Sequence, residues 1–361
     1  MRDNAYMQPW PDRRLLDLLK LEIPIIQAPM AGSDSVALVR NVSSTGALGS
    51  LACALLSPDD VRKAVGALRS GMSRPVNLNF FCHNMERPDA AAIEKWERFL
   101  RPHYERLGLD IESVGDSRLR LPFDDEMCTV VEEVRPEIVS FHFGLPDPHL
   151  VDRLKTLGIK IFSSATSVRE AKWLEARGCD AIIVQGVEAG GHRGMFLEKD
   201  VATQVALFAL LPQVKDTVSL PLIAAGGIAD ARGIVAAFTL GASGVQLGTA
   251  YLFCPEATVS PLYRRALEQA SDYGTAVTNL YSGRPARGIM NRFLREAGPM
   301  SEAALPFPYA ATLVAPLRAA SEKAGLLDYM QLWAGEAAGL AVSMPADQFT
   351  RKLAADVLRG L

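Results

Sequence analysis

The chain has 361 residues, 49% of them hydrophobic and 22% charged, with a formal net charge of −3. That is enough apolar material for one large domain with an appendage, or for two domains. A mixed and mildly acidic charge pattern excludes a partner recruited by a basic surface, so neither nucleic acid nor an anionic membrane is expected.

No apolar run is long enough to cross a bilayer. The N-terminus "MRDNAYMQPWPDRRLLDLL" is charged and broken by proline, unlike a signal peptide. Cys53, Cys82, Cys128, Cys179 and Cys254 are scattered without a CxxC pair, as in a protein that keeps its thiols reduced. The expectation is a soluble, cytoplasmic protein.

Eight short apolar runs follow, most with a helical pattern behind them. "IPIIQAPMAG" (23–32) leads into "SVALVRNVSSTG", whose apolar residues recur at helical spacing. "ALGSLA" (47–52) precedes Ser57-Pro58-Asp59-Asp60, an N-cap with proline in the first helical position. "RPVNLNFF" (74–81) comes third, and residues 83–134 form a long, charged, helical interruption after it. "EIVSFHFG" (137–144) precedes "PHLVDRLKTLG", which ends on a glycine stop. "IKIFSSA" (159–165) is followed by Thr166 or Ser167 as the cap of "VREAKWLEARG". "AIIVQG" is sixth, "LPLIAAGGI" (220–228) seventh with Asp230 opening the next helix, and "GVQLGTAYLF" (244–253) eighth.

Parallel strands need crossovers, so alternating strands and helices predict a parallel sheet. Eight units over about 250 residues fit a (β/α)₈ barrel better than an open doubly wound sheet. The expected division is a barrel over 15–271 and a mainly helical, substrate-side region over 272–361.

The active face of such a barrel is built from the C-terminal strand ends and the loops after them. Gln27 and Met30 fall there after the first strand, and Asn77 and Asn79 lie in the third. Gln185, Glu188 and "GGHRG" follow the sixth. Gly226-Gly227 follow the seventh, and Gln246, Leu247, Gly248 and Thr249 belong to the eighth. Glycine N–H groups after strands seven and eight suit a phosphate, to which the Thr249 hydroxyl adds a donor. Strand amides such as Asn77 and Gln185 need partners that an aliphatic core lacks, and a flat heterocycle supplies them. A flavin carrying a phosphate satisfies both halves of the pattern. No GxGxxG opens the first unit and no GxxxxGK[ST] occurs, which disfavours a Rossmann or P-loop site. No strand ends in Lys, Asp or Glu as a Schiff-base or paired-carboxylate enzyme would require.

The motifs "IIQAPMAG", "VNLNFFCH", "VSFHFG", "QGVEAGGHRG", "IAAGGIAD", "GVQLGTAYL" and "SGRPARGIMNRF" together resemble the nitronate monooxygenase family, formerly called 2-nitropropane dioxygenases. The resemblance runs from Ile23 through Phe293 and resumes at "LWAGEAAGLA". It implies an FMN-dependent barrel that oxidises alkyl nitronates with molecular oxygen and without a nicotinamide. Carried over by position, Asn77, Gln185, Gly190, Gly227 and the Gln246–Thr249 segment would hold FMN, residues 27–30 would run beside its ring, and His192 would be the catalytic histidine. The "NFFCH" and "GGHRG" forms are similar to those of members that use propionate 3-nitronate. The anticipated partners are thus a small anionic substrate and O2.

Arg193, Arg284 and Arg287 are candidates for holding that anion, because arginine favours bidentate contact with carboxylate and nitro groups. A structural role bonding Glu188 or a carbonyl is the alternative for Arg193. His83 and His142 read as wall or core residues, and His103 and His149 as surface helix positions. The chain departs from the family pattern at "WAGE", where Glu336 replaces a glutamine, and at "FPYAATLVAPLR", which lacks the usual polar residues. The rival readings are an FMN-dependent enoyl reductase using NAD(P)H, a flavin-free isomerase or aldolase acting on a phosphorylated substrate, and a non-catalytic binding barrel.

Overall fold

β-Branched, near-continuous apolar runs favour strands that are buried on both faces, and this chain places eight of them side by side. The computed structural model describes residues 10–115 and 119–360, without the side chain of Asp272. Residues 1–9 of the charged N-terminal segment, and 116–118 of the expected interruption, lie outside the described residues.

The strands in chain order are β1 (Ile25–Gln27), β2 (Gly49–Ala52), β3 (Val76–Phe81), β4 (Ile138–His142), β5 (Lys160–Ala165), β6 (Ala181–Gln185), β7 (Gly191–His192), β8 (Leu222–Ala225), β9 (Gly244–Leu247), β10 (Thr275–Thr278) and β11 (Ala286–Ile289). Eight of them form one parallel sheet in the order β1-β9-β8-β6-β5-β4-β3-β2. A parallel bridge between Ile26 and Leu48 brings its two edges together, so the expected (β/α)₈ barrel is the observed fold. β7, β11 and β10 make a small antiparallel sheet above it, with His192 opposite Ala286 and Gly191 opposite Arg287.

Local chemistry sets the helix starts. Ser57 and Asp60 form a reciprocal capping box with Pro58 behind the cap, so three of the signals in that stretch cooperate. Ser167, not Thr166, caps Val168–Glu175; Thr166 instead donates its N–H and hydroxyl to Glu170. Asp230 caps Ala231–Thr239.

Three segments pack differently from their sequence pattern. The eighth run leaves the sheet at Leu247, and Thr249–Leu252 is a helical turn rather than more strand. Short apolar runs do not distinguish strand from buried helix; here Tyr251 decides, packing edge-on to Phe349 and bonding Thr350 at 2.8 Å. Within 83–134, Asp125–Val134 is the ordinary crossover helix between β3 and β4, contributing Cys128, Val130 and Val131 to the barrel core. Ala90–Arg106 instead packs on Ala310–Lys323, where Trp96, Leu100 and Tyr104 meet Leu313, Val314 and Leu317. That packing explains the apolar "FPYAATLVAPLR": burying such side chains contributes about 1.5–3 kcal/mol each, which polar residues would forfeit.

The last helix, Ala346–Gly360, returns to the barrel and packs on Ala231–Thr239 and Val36–Ser43. Its Phe349, Leu353, Ala354 and Val357 share the barrel core, so it fills the place of the eighth barrel helix. Residues 248–345 therefore emerge as a long excursion between the eighth strand and its helix, over the face where the site lies. No helix among the described residues is long and apolar enough to cross a membrane.

Candidate active site

The C-terminal strand ends open into a cleft of about 1400 Å³, open space at its mouth included. Met30, Gln185, Gly190, His192, Gly226, Gly227, Gln246, Gly248 and Thr249 all line it. The loop after β1 is held by Asp34, whose Oδ2 accepts from Met30 N at 3.1 Å and Ala52 N at 2.8 Å.

One wall is bare backbone. A Cβ on Gly191, at φ +73°, would meet nothing within 4 Å, and one on Gly248 would meet only Ala28 Cβ at 3.5 Å and Met30 Sδ at 4.0 Å. Side chains there would stand in the cleft itself, so glycine leaves room for a ligand to reach the backbone. Gln246 lines the same space, and its Oε1 is buried without a hydrogen-bond partner among the described residues. An orphaned buried acceptor of this kind is costly unless a ligand donor meets it. Thr249 Oγ1 accepts from Gly335 N at 2.9 Å, which leaves its own hydrogen for a ligand oxygen.

Opposite stands His192. Its Nε2 lies 2.9 Å from Ser282 Oγ, and Nδ1 makes no hydrogen bond to a described residue. The rings of Phe81, Phe143, Phe307 and Trp333 surround it with centroids 5.5–6.0 Å away. Burial in this cage, and then the positive charge of Arg120, hold its pKa well below the usual histidine range. The imidazole is therefore neutral at physiological pH.

Gln185 and His142 shape this loop. Gln185 Nε2 donates to His192 O at 3.0 Å, and its Oε1 accepts from Gly194 N at 2.7 Å. His142 Nε2 lies 3.1 Å from the same carbonyl, which can only accept, so that nitrogen carries the proton. His142 Nδ1 then accepts from Ser164 Oγ at 2.9 Å. Both amide ends of Gln185 are thus used by the protein, so it fixes the histidine loop while lining the cleft.

Other expected ligands of the cofactor lie below the cleft. Gln27 is fully buried, accepting from Ser50 N at 2.9 Å and donating to Ala28 O. Asn77 donates to Ser50 Oγ and Ser140 Oγ, its Oδ1 is buried without a partner among the described residues, and Asn79, two residues up the strand, lines the cleft. Leu247 is 1% exposed and packs in the barrel core. Strand alternation puts these side chains inside the barrel, but their depth along it was not legible in the pattern.

The arginines are corrected too. Arg193 is fully buried, with Nη1 on Gly186 O at 2.7 Å, Nη2 on Gln185 O at 3.0 Å and Nε on Gln204 Oε1 at 3.1 Å. It belongs to the wall behind the loop, as the structural alternative had it, with carbonyls as partners. Arg287 donates to Val187 O and Thr275 and pairs with Glu336 at 3.0 Å. That ion pair is what Glu336 does in place of the family's glutamine. Arg284 lies over the Phe143 ring at 3.8 Å and donates to Met195 O. His103 is buried rather than on the surface, its Nδ1 3.1 Å from Tyr329 Oη. His149 is exposed, and His83 is a buried wall residue. Sequence reading missed Ser282 and Trp333, which lie inside or beside quoted motifs, and Arg120, which has no local signal at all.

Burial also pushes the His83 and His142 pKa values down to about 4. Unfolded, both titrate near 6.5, so as pH falls the unfolded chain takes up protons first. Their stabilising contribution is full above that value and drains as pH falls toward 4, by roughly 3 kcal/mol each at the limit. Asp34 acts oppositely, since burial lifts its pKa to about 7 and its contribution grows as pH falls. Two such histidines together with His192 outweigh one carboxylate. The urea midpoint is therefore expected to fall between pH 7.5 and 5.0; a constant or rising midpoint would mean that these rings are protonated in the fold.

Bare glycine backbone, an orphaned amide oxygen and a neutral, caged histidine at the C-terminal face define a barrel enzyme that acts on a small molecule beside a bound cofactor. The family model "Nitronate monooxygenase" matches residues 12–356. A nitronate monooxygenase of Paraburkholderia phytofirmans is 41% identical over 343 residues, 94% of this chain and 94% of that one. The crystal structure of nitroalkane oxidase from Streptomyces ansochromogenes superposes with TM-score 0.86 at 36% identity, covering 96% of this chain and 99% of the other. FabK from Thermotoga maritima gives TM-score 0.73 at 30% identity and 96% coverage of both chains. The chain belongs to the nitronate monooxygenase family, whose flavin-dependent members oxidise nitronates and nitroalkanes.

Proposed function

We propose that this enzyme binds FMN and oxidises alkyl nitronates of the propionate 3-nitronate class with O2, yielding the oxo compound and nitrite. The observation that carries this reading is His192, tied to Ser282 through Nε2 and left without a protein partner at Nδ1 in a cage of aromatic rings.

Gly226, Gly227, Gly248 and Thr249 offer N–H and hydroxyl donors for the cofactor phosphate, and Gln246 Oε1 offers an acceptor for a ring N–H. Bound there, FMN supplies the electron acceptor and the centre at which oxygen reacts. The chain's own part is to position and to move a proton. When the Ser282 hydroxyl donates to Arg284 O, His192 Nε2–H donates to Ser282 and Nδ1 presents a lone pair. That tautomer suits removal of the α-proton from a neutral nitroalkane. When Ser282 donates to Nε2 instead, Nδ1–H can bond an oxygen of an already ionised nitronate. The aromatic rings around His192 lower the local polarity, which strengthens either bond. Five unpaired cysteines, with burial raising the thiol pKa of each, suit the cytoplasm we assign to it.

The test is the visible spectrum of the purified protein under anaerobic conditions. An oxidised-flavin absorbance that is lost on adding propionate 3-nitronate, with no NAD(P)H present, is the expected result. A flavin that ignores nitronates and is bleached stoichiometrically by NAD(P)H would overturn it in favour of the enoyl reductase. A protein that is colourless and cannot be reconstituted with FMN would remove the cofactor.

A further inference from the structure

Arg193, Arg284 and Arg287 all turn to partners inside the protein, yet the cleft is not without a cation. Arg120 is the one lysine or arginine among the described residues that line it. Its guanidinium has no hydrogen bond or ion pair with a described residue, while its backbone carbonyl is anchored by His83 Nε2 at 3.1 Å. Glu188, the one lining carboxylate among the described residues, aims both oxygens at Leu207 N, 2.9 and 3.0 Å away. Among the described residues nothing compensates the positive charge of Arg120 in the cleft.

An unpaired guanidinium drawn partly out of water is costly, and an anion placed against it relieves that cost. Burial, and then the charge of Arg318, lower the Arg120 pKa, in keeping with that lack of a partner. After burial, Arg120 is also the group that does most to depress His192, so its field reaches the reacting end of the site. The two groups come from different parts of the chain: Arg120 from the segment between β3 and β4, His192 from β7. A ligand meeting both has two polar ends.

We propose that Arg120 binds a carboxylate at the far end of a short substrate whose nitronate or nitro group lies against His192. Planar arginine matches a carboxylate with two parallel N–H···O bonds, which fixes orientation as well as charge. The reacting end in this inference rests on the nitronate reading above; the carboxylate end does not. Arg120 is thereby the residue that separates ω-carboxylated nitronates from plain alkyl ones.

The experiment compares propionate 3-nitronate with propyl-1-nitronate, which has the same number of carbons and no carboxylate, in wild type, Arg120→Ala and Arg120→Lys. Binding of 3-nitropropionate to the flavin-loaded proteins is measured alongside by calorimetry. In Arg120→Ala, kcat/KM for propionate 3-nitronate is expected to fall by roughly 10- to 100-fold, mainly through KM. For propyl-1-nitronate it should change by less than about threefold, since uniform binding of that substrate is untouched. The Kd of 3-nitropropionate rises in step, and lysine restores part of both losses. Equal losses with the two nitronates would overturn the proposal, because the guanidinium would then serve the end they share; no loss with either would overturn it too. Should wild type oxidise neither nitronate, the functional reading fails, and calorimetry still decides the carboxylate site. An Arg120-dependent Kd supports it, while an unchanged Kd or absent binding refutes it.

Discussion

His192→Asn is expected to keep its flavin and to lose activity unequally: roughly 10²- to 10⁴-fold in kcat/KM with a neutral nitroalkane, and about tenfold with the nitronate. The inequality follows from what each substrate needs. A nitroalkane must give up its α-proton, and among the described residues Nδ1 of the neutral imidazole is free of protein partners to take it. A nitronate has already lost that proton and needs only a donor to hold it, which the asparagine amide partly replaces. The flavin stays because the histidine loop is secured through the backbone of residue 192, whose carbonyl accepts from Gln185 and His142 whatever the side chain. Steady-state kinetics with nitroethane and ethyl nitronate, beside the flavin content of the variant, would check this. Equal losses with both substrates would remove the base role, and unchanged kinetics would remove His192 from the chemistry.

Arg193→Ala is expected to destabilise the protein by about 3–5 kcal/mol, a large part of a typical folding free energy. The side chain is fully buried and bonds two backbone carbonyls and an amide oxygen. Its removal takes a donor from Gln185 O and from Gly186 O, which keeps Ala189 N at 3.1 Å, inside the wall that supports the histidine loop, and opens a cavity beside them. Burial already holds its pKa down to about 10, so the charge is tolerated only because these bonds are complete. Denaturant melts of wild type, Arg193→Ala and Arg193→Lys would measure the loss, with lysine recovering part of it. A variant that melts like wild type but shows a raised KM would return Arg193 to the substrate.

Much of this protein was legible in its sequence. Eight apolar runs at barrel spacing specified the parallel sheet, because a strand covered on both faces must be apolar along its length. The capping signals at Ser57 and Asp230 located helix starts, since those side chains bond the N–H groups of their own first turn. The glycines around His192 marked the loop where the chain must leave its backbone open.

What local pattern did not carry was the partner of each polar side chain. Gln185 and Asn77 read alike in the sequence, yet Gln185 braces the histidine loop at the cleft wall, and Asn77 stops one layer short of Asn79. Nothing around Arg120 marks it, because its significance is the absence of a partner among the described residues, and that is a property of the space around it. The helix Ala346–Gly360 reads as one more amphipathic tail, yet it completes the barrel after almost a hundred residues of excursion.

The sequence by itself thus determined the barrel, its active face and the histidine on it, since these depend on periodicity and on bonds between near neighbours. Only the tertiary structure decided which charges are neutralised and which remain free for a ligand. Long-range contacts allot hydrogen-bond partners, and Gln204 or Glu336 reaches its arginine through the fold and not through spacing along the chain.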